Sequence, residues 1–334
     1  MTDASPPPRL PVTLVSGFLG AGKTTLINAV LREPGFARSM VIVNEFGSVG
    51  LDHLLVGQAD DQVLLLESGC LCCAATAGLR DTLIDLLARR GSGRIPMFDR
   101  IVVETSGLAN PAPLIATLLG DSAIAPRCEL QQVLVLVDSR HGADTLARHA
   151  DARRQLALAD RLLLTHGEAT PSLLALLHQL NPDAAIETRR QGEPALPHFT
   201  PQALAAPRRT AWPTGSLRPQ YADDEPGHAG RPATLFTRTW HVPGDIDWPL
   251  YAEWTAALRQ RFGARLLRCK GLLSVAGQSW IVQGVQGHFS APERLATGRR
   301  AAGAGFITCI AEEIEPQGLA EAMRLLTEEG IACR

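Results

Sequence analysis

A chain of 334 residues has the length of two domains, and with 46% hydrophobic and 20% charged residues it is too apolar and too weakly charged to be disordered as a whole. Its formal charge of −2 gives no global basic field to hold a polyanion, which argues against nucleic acid as a partner. Nor does any apolar run approach the ~20 residues of a membrane-spanning helix.

Met1–Leu10 lacks the basic start and apolar run of a secretion signal, so the expectation is a cytoplasmic protein without a membrane partner. From Val12 to Ile186, short apolar runs alternate with helical stretches. Strands are predicted at 12–16, 40–43, 63–66, 101–103, 133–137 and 162–164, with a weak one near Ile186. Helices are predicted at 24–31, 79–88, 113–119, 145–158 and 172–180. Nearly continuous apolar strands separated by helices imply an α/β domain with a mostly parallel sheet covered on both faces. Residues 207–232 are rich in Pro, Gly and Asp and read as a linker. Beyond it, strands near 235–242, 266–275, 280–285 and 306–310 and helices near 250–262 and 319–327 predict a smaller α+β domain. The expected division is 1–206, a linker at 207–232, and 233–334.

The first strand runs into Gly17-Phe18-Leu19-Gly20-Ala21-Gly22-Lys23-Thr24-Thr25, which opens a helix. This is the context that the G-x-x-x-x-G-K-[ST] phosphate loop requires, so Gly20, Ala21, Gly22, Lys23, Thr24 and Thr25 are candidates to hold a nucleotide. Glycines let backbone N–H groups turn toward phosphate oxygens, Lys23 reaches the β and γ phosphates, and the Thr24 hydroxyl can ligate Mg²⁺. The chain has 30 arginines and only two lysines, Lys23 and Lys270, so a lysine at this point is itself informative. Glu104 closes the strand Arg100–Glu104 ahead of Thr105-Ser106-Gly107. A carboxylate at the end of a parallel strand faces the ligand edge of the sheet, where it can hold Mg²⁺ through water or orient a nucleophile. Lys23 and Glu104 are therefore the candidate catalytic groups.

Cys70-Leu71-Cys72-Cys73 follows the third predicted strand. Three reduced thiols this close can supply soft ligands to Zn²⁺ or a similar transition metal. Adjacent Cys72 and Cys73 would point apart in extended backbone, so two of the three plus outside donors make the more natural site. Cys128, Cys269, Cys309 and Cys333 read as small buried hydrophobes. Glu45, at the end of the second predicted strand, can approach either metal or remain a solvated carboxylate.

Taken together, the chain resembles the cobalamin-synthesis-W-like branch of the metal-handling P-loop GTPases. The resemblance rests on GFLGAGKTT at Gly17–Thr25, NEFG at Asn44–Gly47, GCLCC at Gly69–Cys73, ETSGLANPAP at Glu104–Pro113 and LLRCKG at Leu266–Gly271. It implies GTP bound and hydrolysed to GDP with Mg²⁺, a metal at the cysteine motif, and a metal-dependent client protein, and it leaves self-association open. A different reading of the same motifs is a non-catalytic, nucleotide-responsive client chaperone or zinc-responsive regulator. There are three departures. Ser48 stands where the family often has a second glutamate. The linker holds only His228 in place of a histidine-rich run. Thr165-His166-Gly167-Glu168 replaces the family's base-reading [NT]-K-x-D, so Glu168 must do the work of an aspartate and His166 stands as a base-stacking candidate.

Overall fold

The computed structural model describes residues 9–45, 63–67, 73–190, 192–200, 235–295 and 304–327. The expected linker, Ser48, Cys70, Cys72 and Cys333 lie outside the described residues.

The chain runs β1 (Leu10–Gly17), α1 (Lys23–Leu31), β2 (Ser39–Glu45), β3 (Val63–Glu67), α2 (Cys73–Gly91), β4 (Arg100–Thr105), α3 (Ala112–Gly120), β5 (Cys128–Asp138), α4 (Gly142–Arg148), α5 (Ala150–Leu158), β6 (Arg161–Thr165), α6 (Pro171–Leu180) and β7 (Ala185–Thr188). These seven strands form one sheet in the order β3-β2-β4-β1-β5-β6-β7, with every neighbouring pair parallel. Strands buried on both faces need continuous apolar runs, and β1 and β4 to β6 supply them with Val12, Leu14, Val15, Ile101 to Val103, Val133 to Val137 and Leu162 to Leu164. The weak run near Ile186 forms the edge strand β7. On one face α1 lays Leu26, Ile27 and Val30 against Val15, Val102 and Leu134. Phe36 closes that layer edge-on to Phe199, with ring centroids 5.2 Å apart.

The stretch expected as one helix over 145–158 is two, interrupted at His149. The guanidinium of Arg153 folds back to donate to the carbonyls of Leu146 (2.6 Å) and Ala147 (3.1 Å), which an unbroken helix would have given to backbone N–H groups. The second helix of the sheet domain, α2, starts earlier than the periodicity shows, at Cys73.

After the linker come β8 (Leu235–Pro243), β9 (Asp245–Ile246), α7 (Trp248–Phe262), β10 (Leu266–Val275), β11 (Gln278–Val285), β12 (His288–Phe289), β13 (Glu293–Arg294), β14 (Ala304–Glu312) and α8 (Pro316–Met323). The antiparallel path is β12-β11-β10-β14-β8. One face carries the core: Trp254, Leu258, Leu273, Val282, Ile307 and Leu319 are buried together with Cys269 and Cys309. Asp247 caps α7 by accepting from Leu250 N at 2.8 Å, and Pro249 sits in its first turn, where a missing N–H costs nothing. The expected helix over 319–327 begins earlier, at Pro316, and gives way to turns after Met323. Two compact units result. The first rests on Met1–Thr145, Ala159–Leu174 and Ala184–Ala205, and the second on Leu146–Leu158, Ala175–Asp183 and Ala206–Arg334, so α5 belongs with the antiparallel sheet. There Arg268 donates to the carbonyl of Leu158, and Arg154 pairs with Glu312 at 3.0 Å.

Gly271, in the Lys-Gly pair of the second domain, has a steric reason. A Cβ built there would lie 2.1 Å from the carbonyl oxygen of Phe306 on β14, a contact the paired backbones cannot relieve without separating. Gly271→Ala is expected to destabilise the second unit by about 1–3 kcal/mol. An unchanged melting temperature would show that β10 and β14 do not approach this closely.

In the first unit, Arg161 on β6 and His198 both reach the Glu187 carboxylate on β7, and Arg161 also donates to Gln132 and to the carbonyl of His198. The hydrogen bond from His198, joined by Arg161 against the opposing cost of burial, holds the Glu187 carboxyl down to about 2. A depressed carboxylate contributes stability that is complete above the ordinary value near 4.5 and is lost as pH falls toward 2. The contribution is on the order of 3 kcal/mol. Urea midpoints of the wild type and Glu187→Gln should therefore differ most at neutral pH and draw together as pH falls from about 4.5 toward 2. A gap independent of pH would remove the linkage.

Candidate functional site

Parallel strands bring their carboxyl ends to one edge of the sheet, and the order of strands reverses around β1, which is flanked by β4 and β5. The phosphate loop leaves β1 at that point. Gly17, Gly20 and Gly22 have φ of 139°, 74° and 92°, values that favour glycine. At Gly17 the need is also steric, because a Cβ would lie 2.5 Å from the carbonyl oxygen of Leu136 on β5. The loop folds on itself through Ala21 N to Phe18 O (3.2 Å), and α1 then begins with Leu26 N donating to Gly22 O at 3.0 Å. Lys23 opens α1 with its side chain buried, and its ammonium donates to the carbonyls of Gly17 (2.8 Å) and Phe18 (3.3 Å). The one lysine of the first unit is thus held directly over the loop. Thr25 points out to solvent.

Two residues 80 positions apart meet here: Thr24 Oγ1 donates to Glu104 Oε1 at 2.9 Å. Pairing of Val15 with Glu104 in the sheet register makes this contact, since β4 lies beside β1 and ends just past the loop. Glu104 is buried, with 4% of its surface exposed. Next to it Thr105 Oγ1 donates to Ser16 Oγ at 2.9 Å, tying the ends of the two strands together. The turn after β4 presses on the phosphate loop, because a Cβ at Gly107 would come within 2.8 Å of the Leu19 nitrogen. A hydroxyl and a carboxylate in contact make an all-oxygen donor pair. That chemistry suits a small hard cation such as Mg²⁺, which prefers oxygen ligands and keeps several of its waters.

The segment after β6 reaches the same loop from the other side. Thr165 Oγ1 donates to Ala21 O at 2.9 Å, and a ring nitrogen of His166, Nε2, lies 3.0 Å from Gly20 O. His166 adopts φ 61° and is exposed, with its ring against the phosphate loop. Glu168 is exposed and bonded to Arg190, whose Nε and Nη2 both lie 3.3 Å from Oε1. Sequence spacing gave no sign of Arg190: its partner is on another loop, and an arginine is unremarkable among thirty.

At the opposite side of β1, Glu45 ends β2 in register with Glu67 of β3, and α2 opens at Cys73. The backbone thus carries Glu45 and Cys73 to the edge that holds the phosphate loop, while Cys70 and Cys72 lie outside the described residues. Among the described residues no group of three or more His, Cys, Asp or Glu is placed to hold a metal ion. Cys128, Cys269 and Cys309 are buried. Burial pushes the Cys128 thiol up to about 11 and the Cys269 thiol well above its usual range, with Cys309 3.6 Å away adding to the effect. Thiols held protonated in this way are poor metal ligands.

Residues 11–190 match the model of the CobW/HypB/UreG nucleotide-binding domain, and residues 237–326 match that of the cobalamin synthesis protein cobW carboxy-terminal domain. The chain belongs to this family. Among its relatives, the zinc chaperone YjiA of Escherichia coli is 40% identical over 186 residues, covering 54% of this chain and 58% of that protein. The zinc chaperone CobW of Pseudomonas aeruginosa is 40% identical over 153 residues, 43% of this chain and 39% of that one. The chain thus spans less than two thirds of the length of these curated relatives. The crystal structure of Zn(II)-bound YjiA GTPase from E. coli superposes with a TM-score of 0.66 at 24% identity, covering 96% of this chain and 100% of that one. That likeness extends through both units and fixes the fold, a P-loop NTPase domain with a parallel sheet followed by an antiparallel α+β domain. Among the described residues no helix is long and apolar enough to cross a membrane.

Lys23→Ala removes the ammonium held over the loop while leaving the α1 core contacts of Leu26, Ile27 and Val30 in place. Loss of at least about a hundredfold in nucleotide affinity is expected, equivalent to ~3 kcal/mol, with an unchanged melting temperature. Equal affinities in the two proteins would remove the phosphate-loop assignment.

Proposed function

We propose that this family member is a Mg²⁺-dependent GTPase of slow intrinsic turnover whose nucleotide state governs the binding and release of a transition metal, zinc or cobalt, for a metal-dependent client protein in the cytoplasm. The observation that carries this reading is the contact of Thr24 with Glu104 beside a Lys23-bearing phosphate loop. It joins the parts that phosphoryl transfer needs, and relatives that share the family are named zinc chaperones.

In the proposed reaction water attacks the γ-phosphorus in line as the bond to the β-phosphate oxygen breaks, giving GDP and phosphate. Lys23 and the backbone N–H groups of Gly20, Ala21 and Gly22 take up charge on the phosphate oxygens. Glu104 orients water at the γ end, and Gly107 lets the turn after β4 approach the same phosphate. Thr24 and Glu104 are the residues that would hold Mg²⁺, which when bound supplies charge neutralisation across the β and γ phosphates. Thr165, His166 and Glu168 form the base side of the site. The transported metal is cargo, taken as thiolate by Cys72 with at least one of Cys70 and Cys73, and Glu45, at the end of β2, is the carboxylate proposed to join them.

The test has two arms. Purified protein should hydrolyse GTP in the presence of Mg²⁺ and lose that turnover in Glu104→Gln, and it should bind Zn²⁺ with proton release, since the thiols must ionise. Retained nucleotide binding without any turnover would favour a non-catalytic switch. Unchanged metal stoichiometry in a Cys70, Cys72, Cys73 triple-serine variant would place the cargo elsewhere.

A further inference from the structure

The base side of the site departs from an aspartate-bearing motif in a way that raises a physical problem. Glu168 has one more rotatable bond than an aspartate, and an exposed glutamate spreads its carboxylate over several rotamers. A base reader needs that carboxylate in one place.

Two backbone segments are pinned on either side of it. Thr165 and His166 are bonded to the carbonyls of Ala21 and Gly20, and Gly167 turns the chain with φ 131°. After β7, Arg189 N donates to Leu164 O at 2.9 Å, Arg190 N donates to Glu193 Oε2 at 3.1 Å, and Glu193 N donates back to Arg190 O at 3.3 Å. Between these segments the Arg190 fork places both Nε and Nη2 at 3.3 Å from Glu168 Oε1. The side chains are 71% and 70% exposed, and an ion pair that open to water adds little to stability. What it does change is where the carboxylate sits. An ionised carboxylate offers about four acceptor sites, and both arginine N–H groups fall on one oxygen, which leaves Oε2 and part of Oε1 for other donors.

We infer that Arg190 is a positioning residue that sets base selection, holding the Glu168 carboxylate so that it accepts the ring N–H and exocyclic amino group of guanine. Adenine turns a ring-nitrogen acceptor toward the same carboxylate and is repelled. The assignment rests on the GTPase reading and adds to it the residue that lets a glutamate serve where the family has an aspartate.

The experiment measures GTP and ATP affinities by competition in the wild type, Arg190→Ala, Arg190→Lys, Glu168→Gln and the Arg190→Ala, Glu168→Gln double variant, with melting temperatures as a control. Arg190→Ala should lower the preference for GTP over ATP by about tenfold without a change in melting temperature. Arg190→Lys, which keeps the charge and loses the fork, should fall between. In the Glu168→Gln background the Arg190→Ala effect should vanish, because Arg190 acts through that carboxylate. An unchanged preference in Arg190→Ala, equal weakening of GTP and ATP, or a loss that persists without the Glu168 charge would overturn the assignment alone. A wild type that binds neither nucleotide would overturn the GTPase reading with it.

Discussion

In a sheet whose seven strands all run the same way, every strand delivers its carboxyl end to one edge, and the chemistry of the first unit hangs on that constraint. Lys23 and Thr24 follow β1, Glu104 ends β4, Thr165 ends β6 and Glu45 ends β2, so residues scattered over more than a hundred positions share one rim. Register does the fine work. Pairing of Val15 with Glu104 puts the carboxylate within a hydrogen bond of Thr24, and pairing of Leu164 with Thr188 brings the Arg190 loop alongside Glu168. A shift of one residue in the β1–β4 pairing would turn Glu104 to the opposite face of the sheet.

The phosphate loop is under the tightest steric demand. Its first glycine has Leu136 O where a side chain would start, and Gly107 on the neighbouring turn has Leu19 in the same position. Three loops therefore touch: the phosphate loop, the turn after β4, and the segment after β6 through Ala21 and Gly20. A ligand that moves the phosphate loop must disturb one of the other two. This is the physical basis for expecting nucleotide state to be felt beyond the phosphates.

Much of this was legible in the sequence, for identifiable reasons. Buried parallel strands demand apolar runs, so β1 and β4 to β6 could be read directly, and the loop motif declares itself because its glycines and lysine have few other uses together. What escaped depends on tertiary contacts. The break at His149 arises because Arg153 takes two helix carbonyls, which periodicity does not encode. The early start of α2 carries no apolar stripe, so Cys73 read as a loop cysteine although it opens a helix. His166 stands in the sequence as a ring for the base to stack on, and the contact of its ring nitrogen with the carbonyl of Gly20 is an addition that spacing does not encode. Arg190 carried no signal until the register of β6 and β7 placed it beside Glu168. In the second unit, Gly271 read only as half of a motif, and its reason appears once Phe306 O is seen against it.

If the cysteine segment and the phosphate loop are two ends of one switch, affinity for the cargo metal must depend on the nucleotide. Titration of Zn²⁺ into the protein loaded with Mg²⁺ and a non-hydrolysable GTP analogue, and separately with GDP, measures this directly. Coupled sites should give affinities that differ by about 5- to 150-fold, and saturating zinc should change the preference for the GTP analogue over GDP by that same factor. Identical zinc affinities in the two nucleotide states would contradict the coupling and leave two independent sites on one chain.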